Sequence, residues 1–176
     1  MADCKHKDQR VAIFIDTQNL YWTAKNLYSS KVNFGEVLKL AVSHRKLIRA
    51  FAYVVQTKTG EEKPFFDALT KLGIETRIRP LQEYYGGLKK ADWDVGIVID
   101  AIRVAPNVDV IVLCSGDGDF VPLVEYLKNQ GKRIEVIAFG KSTSSKLKEV
   151  ADEFIDLSKN PKKYLITKSA KHEGGI

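Results

Sequence analysis

The sequence predicts one α/β domain built on a parallel sheet with helices on both faces. Apolar runs of strand length alternate with stretches of helical periodicity along the chain, as in repeated β–α units. The run from Val11 to Ile15 (VAIFI) is continuous rather than alternating, which marks a central strand buried on both faces. With 176 residues, 44% of them hydrophobic, and no strongly biased region, the chain fills one core well and two poorly.

Asp16 closes the first strand. Residues 18 to 28 and 34 to 42 read as helices, the second carrying Phe34, Val37, Leu38, Ala41 and Val42 at helical spacing. Leu47 to Val55 is the second strand. Glu61 to Leu72 puts Phe65, Phe66, Leu69 and Leu72 on one helical face, with Gly73 as its C-terminal cap and Ile74 to Ile78 as the third strand. Pro80 to Lys90 (PLQEYYGGLKK) has no regular period and reads as a loop. Then follow a helix (Trp93 to Val104), a fourth strand (Val108 to Cys114), a helix (Asp119 to Asn129) stopped by Gly131, and a fifth strand (Arg133 to Phe139). A short helix (Lys146 to Val150) and a last strand (Phe154 to Leu157) end the pattern. The domain therefore spans 10–157, between a polar leader (1–9) and a polar tail (158–176) whose Gly-terminated end is expected to be disordered.

Composition narrows the function. No run reaches the ~18 apolar residues of a membrane span, and the N-terminus is charged where a signal peptide would be apolar, so a cytoplasmic protein is expected. Cys4 and Cys114 have no framework or CxxC spacing and are expected to be free thiols. His6, His44 and His172 accompany no nucleophile motif and read as surface residues. Gly116-Asp117-Gly118 does not complete a dinucleotide fingerprint, because Val121 holds the third glycine position, and no P-loop lysine follows.

The net charge of +6 has basic groups at His44-Arg45-Lys46, Arg77/Arg79, Lys89-Lys90 and Lys132-Arg133. Such a surface suits a polyanion. Charge alone favours the plainer reading of a solvated surface.

Open parallel sheets bind ligands beyond the carboxyl ends of their strands. Two motifs lie there: Ile15-Asp16-Thr17-Gln18-Asn19 after the first strand and Ser115-Gly116-Asp117-Gly118-Asp119-Phe120 after the fourth. If those strands are neighbours, Asp16, Asp117, Asp119 and the Asn19 amide converge on one rim. Packed carboxylates raise one another's pKa unless a cation neutralises them, and an oxygen-only ligand set favours Mg2+ or Mn2+. Each Asp could equally be a helix N-cap, Asp119 above all, since Pro122 follows within a turn. Asp92-Trp93-Asp94 opens the next helix and offers a third contribution, or simply acids favoured at a helix N-terminus. Asp100, six residues beyond Asp94, points about 120° away around the helix and should not share its ion.

Taken together, IDTQNL (15–20), KADWDVGIVID (90–100) and SGDGDF (115–120) resemble the NYN domain in its LabA-type branch of the PIN-like nuclease superfamily. The resemblance runs in order over about residues 10 to 157 and includes the closing FGKSTSSKL and ADEFIDL segments. It implies a three-layer α/β/α sandwich, PIN-like and Rossmann-like, with strand order 3-2-1-4-5. That order sets the first and fourth strands side by side. The family's acidic site maps onto Asp16, Asp94, Asp117 and Asp119, supported by Asn19 and Ser115. Asp92 competes with Asp94 as the third acid, and Asp94 ranks higher.

The resemblance implies a ribonuclease that hydrolyses RNA phosphodiester bonds with water activated by Mg2+ or Mn2+. Lys89, Lys90 and Arg103 would hold the backbone of single-stranded RNA, and Tyr84 and Tyr85 could stack its bases, or else pack their loop onto the domain. The alternative is a non-catalytic regulatory or RNA-binding module whose acidic pocket holds a metal or nucleotide. An edge strand or apolar helix face leaves room for a homodimer.

Overall fold

In the computed structural model, β1 (Arg10–Asp16) lies at the centre of the molecule and every residue after Arg10 is buried. Its side chains alternate between two cores, as strand geometry requires. Val11, Ile13 and Ile15 enter one, and Ala12 and Phe14 the other. The structure describes residues 5–87, 89–90 and 92–167, with the side chains of Lys89 and Lys90 excluded.

After β1 come α1 (Thr17–Tyr28), β2 (Lys31–Val32), α2 (Phe34–Val42), β3 (Lys46–Gln56), α3 (Lys63–Lys71), β4 (Glu75–Pro80), β5 (Gln82–Glu83), β6 (Lys89–Lys90) and α4 (Asp94–Val104). The second half holds β7 (Val110–Cys114), α5 (Val121–Asn129), β8 (Arg133–Ala138), α6 (Ser145–Val150), β9 (Glu153–Asp156), α7 (Pro161–Tyr164) and β10 (Leu165–Ile166). The main sheet is parallel with order β4-β3-β1-β7-β8-β9. In core-strand numbering this is the expected 3-2-1-4-5 extended by a sixth strand. Leu20, Val37, Leu38 and Leu69 cover one face from α1, α2 and α3, while Ile97, Leu123, Leu127 and Leu147 cover the other from α4, α5 and α6. The three-layer sandwich follows.

Pro80 to Lys90 is not wholly irregular, because β5 and β6 pair antiparallel across a turn where Gly86 and Gly87 take φ of 95° and 80°. Beyond Leu157 the chain forms α7 and β10, buries Tyr164 and Leu165, and pairs β10 with β2. The helix expected from Asp119 begins later: Gly118–Phe120 is a 3-10 turn, capped by Asp117 rather than Asp119 through a 2.9 Å bond from the Asp119 amide.

Arg45, counted among the surface basic groups, is wholly buried with Glu135. Its Nη1 and Nη2 donate to the two Glu135 carboxylate oxygens at 2.9 and 2.8 Å, and Nη2 also donates to the Ala41 carbonyl at 2.9 Å. Arg133 Nε donates to the same carboxylate at 3.0 Å. Burial alone would raise the Glu135 pKa, but these cationic donors outweigh it and hold it below the ordinary carboxylate range. Cys114 is a buried free thiol, His6 and His44 are exposed, and Cys4 and His172 lie outside the described residues. Among the described residues no helix is long and apolar enough to cross a membrane.

Candidate metal centre

The carboxyl ends of β1 and β7 are adjacent, with Ile15 opposite Cys114, so the chain segments leaving them share one rim. Asp16 caps α1, accepting from the Asn19 amide at 3.2 Å through Oδ1. Its Oδ2 accepts from Ser115 Oγ at 2.9 Å, while Asn19 Oδ1 accepts from the Gly116 amide at 2.9 Å. Four side-chain and backbone groups thereby stitch the β1 turn to the β7 turn. Gly116 is needed there, since a Cβ would sit 2.8 Å from Thr143 Oγ1 and 3.1 Å from Thr143 Cα.

The third wall depends on Trp93. Its Nε1 donates to the Val54 carbonyl at 3.0 Å, its ring meets Tyr53 edge-on at 5.4 Å, and the Arg79 guanidinium lies 4.4 Å over it. Gly96 makes room for the indole on the first turn of α4, where a Cβ would meet Trp93 Cε3 at 2.6 Å. The anchored indole fixes the start of α4 at Asp94.

Carboxylate oxygens of Asp94, Asp117 and Asp119 all lie within 4.8 Å of one another. Asp16 lines the same cleft of about 490 Å3, deeper and nearly buried, with both oxygens already accepting hydrogen bonds. Burial raises the Asp16 pKa, and the Asp117 charge adds to it against the two hydrogen bonds. Asp94 is pushed up to about 6, first by burial and then by the charges of Asp117, Asp16, Asp92 and Asp119. An oxygen-only cluster that contains the raised carboxyls of Asp16 and Asp94 fits a hard divalent cation.

The NYN domain profile matches residues 10–158. The chain belongs to the NYN domain family. The family lies within a PIN-like nuclease superfamily. This NYN domain is 29% identical over 160 residues to the "low amplitude and bright protein LabA" of Synechococcus elongatus, covering 86% of each chain. It is 24% identical over 152 residues to the protein MJ0482 of Methanocaldococcus jannaschii, covering 85% of this chain and 56% of that one. A solved structure of unknown function from Vibrio parahaemolyticus, VPA0982, superposes with a TM-score of 0.83 at 32% identity, covering 92% of this chain and 99% of that one.

Asp100 and Asp92, both ranked below Asp94, and the residues expected to bind RNA take separate places in the NYN fold. Asp100 accepts from Tyr53 Oη at 2.9 Å and Arg77 Nε at 3.3 Å, away from the cluster. Asp92 lines the cleft, yet Asp94 is the one grouped with Asp117 and Asp119. Arg103 occupies the last turn of α4, about 13 Å along the helix from Asp94, and is not brought to the rim. Tyr84 donates to Gln82 Oε1 at 2.9 Å but is half exposed, and Tyr85 is fully exposed, so neither packs its loop onto the domain. The side chains of Lys89 and Lys90 lie outside the described residues. Trp22, Asn26 and Lys141 line the cleft without having been expected there. For the first two the available signal was i, i+4 spacing from Gln18, just after Asp16.

The raised Asp94 pKa fixes a sign. Its folded value of about 6 lies above the ordinary 3.8, so its ionisation costs stability as pH rises from about 4 to 6, and the penalty persists above. Discounted for solvent screening, the penalty is on the order of 1 kcal/mol. In EDTA, Asp94→Asn should therefore match wild type near pH 4 and melt higher at pH 7. Millimolar Mg2+ or Mn2+ should raise the wild-type melting temperature most above pH 6. Melting curves of both proteins across that range, with and without metal, check it; a difference independent of pH would contradict it.

Proposed function

We propose that this NYN domain is a metal-dependent ribonuclease that hydrolyses phosphodiester bonds of single-stranded RNA at the Asp94–Asp117–Asp119 rim. The convergence of those three carboxylates beside nearly buried Asp16 carries the reading. Asp94, Asp117 and Asp119 would hold Mg2+ or Mn2+, with Asp16 as an inner fourth carboxylate lining the same cleft. A bound ion supplies Lewis acidity toward a phosphoryl oxygen and acidity to an attacking water.

The chain's own groups do the rest. Ser115 and Asn19 tie the β1 turn to the β7 turn, which orients Asp16 relative to the segment that carries Asp117. Lys89 and Lys90 form β6, the second strand of the hairpin that precedes Asp94, and are assigned to the RNA backbone, where each lost phosphate contact flattens the salt dependence of binding.

Mixed single-stranded and structured RNA, incubated with the protein in Mn2+, Mg2+ or EDTA, tests the proposal. Fragments should form with metal only and favour the unpaired regions. RNA binding without cleavage under any metal would overturn the ribonuclease and leave a regulatory module that uses the pocket to bind metal or nucleotide.

A further inference from the structure

We propose that the cleft continues from the acid cluster into a subsite for one unpaired nucleobase of the RNA strand, stacked on Trp22, with an adjoining phosphate held by Lys141. The assignment of the strand as RNA rests on the function proposed above.

Trp22 projects from α1 into the lining of the same cleft as Asp94 and Asp117, and the residue is 50% exposed. Half of its surface therefore remains available to a ligand. It is also held in place. Tyr21 meets it edge-on at 5.3 Å, and the Lys25 ammonium lies 5.0 Å over the ring. Both neighbours come from its own helix, so the indole stays oriented while part of it still lines the cleft.

On the same lining, Lys141 is exposed on the 3-10 turn Gly140–Ser142 and has no ion-pair or hydrogen-bond partner among the described residues. Its backbone, by contrast, is pinned. The Gly140 amide donates to Asp156 Oδ1 at 2.9 Å, the Gly140 carbonyl accepts from Lys148 Nζ at 2.7 Å, and Ser142 Oγ donates to Thr23 Oγ1 at 3.2 Å. A free ammonium on a fixed turn, in a cleft that also holds four aspartates, fits an anion that enters with the ligand.

Gln18 and Asn26 flank Trp22 at i−4 and i+4 on the same lining, and neither side-chain amide has a hydrogen-bond partner among the described residues. Amides of this kind present both donor and acceptor to a base edge. Aromatic face, unpaired amides and one free cation match a base and its phosphate, and the open shape suits a passing strand.

Binding of a labelled short single-stranded RNA, measured in EDTA by anisotropy on the full chain, tests this without turnover. Trp22→Ala should weaken binding roughly tenfold while Trp22→Phe retains most of it, and an abasic strand should bind wild type and Trp22→Ala alike. Lys141→Ala should weaken binding several-fold and reduce the salt slope by about 0.7. Wild-type affinity in a folded Trp22→Ala protein would overturn the subsite, as would a free nucleoside monophosphate binding as tightly as the strand. Cleavage by wild type with undisturbed Trp22→Ala binding would defeat the subsite alone. These binding effects without any metal-dependent cleavage would defeat the ribonuclease alone.

Discussion

On the proposed function, Asp94→Asn is expected to lower metal-dependent RNA cleavage by about a thousandfold or more, because losing one of the carboxylates assigned to the ion would forfeit several kcal/mol of transition-state stabilisation. The variant isolates chemistry from folding. Asp94 makes no cap bond, and its neighbours repel its charge, so the folded protein loses nothing it needs. Asp117→Asn should lose cleavage to a similar degree while still capping the 3-10 turn, since Asn accepts the Asp119 amide as well as Asp does. RNA binding should persist in both, or tighten slightly, because one charge that repels phosphate has gone. Single-turnover cleavage and anisotropy on the same preparations check this. Full activity in either variant would reduce that residue to a structural role.

Arg45→Ala is expected to cause the largest loss of stability, about 3 kcal/mol, at the lower end of the cost of stranding one partner of a buried ion pair. Both side chains of the Arg45–Glu135 pair are fully buried, so Glu135 would keep its charge without its bidentate partner. Arg133 Nε still reaches the carboxylate at 3.0 Å and limits the loss. Lys58→Ala, which breaks a pair whose lysine side chain is 80% exposed, should cost well under about 1 kcal/mol. Urea denaturation of the two variants makes the comparison. Equal midpoints would contradict the buried-pair account.

Local pattern carried the sheet and most helices, because VAIFI and the Phe34–Val42 helix each bury through a repeat visible in a few residues. Pairings of two residues, such as β2 with β10, leave no such repeat and depend on contacts distant in sequence. Arg45 shows the same limit. Beside His44 and Lys46 it looks like part of a basic patch, and only Glu135, ninety positions away, makes it a core residue. In the site, Asp16, Asp117 and Asp119 were legible from strand ends and Asp94 from the resemblance, but the division of labour was not. Asp117 and Asp119 both satisfy capping preference, and the turn geometry gives the cap to Asp117. The preference for Asp94 over Asp92 comes from the resemblance rather than from spacing, whereas Trp22 and Lys141 emerge only with the cleft that brings α1 to the turn after β8.

Anomalous diffraction from a crystal soaked in millimolar Mn2+ tests the central claim most directly. The expected result is a manganese peak bounded by the carboxylates of Asp94, Asp117 and Asp119, absent from an Asp94→Asn crystal treated the same way. A wild-type crystal without a peak at that rim, or with manganese bound only elsewhere, would contradict the metal centre and the hydrolysis built on it.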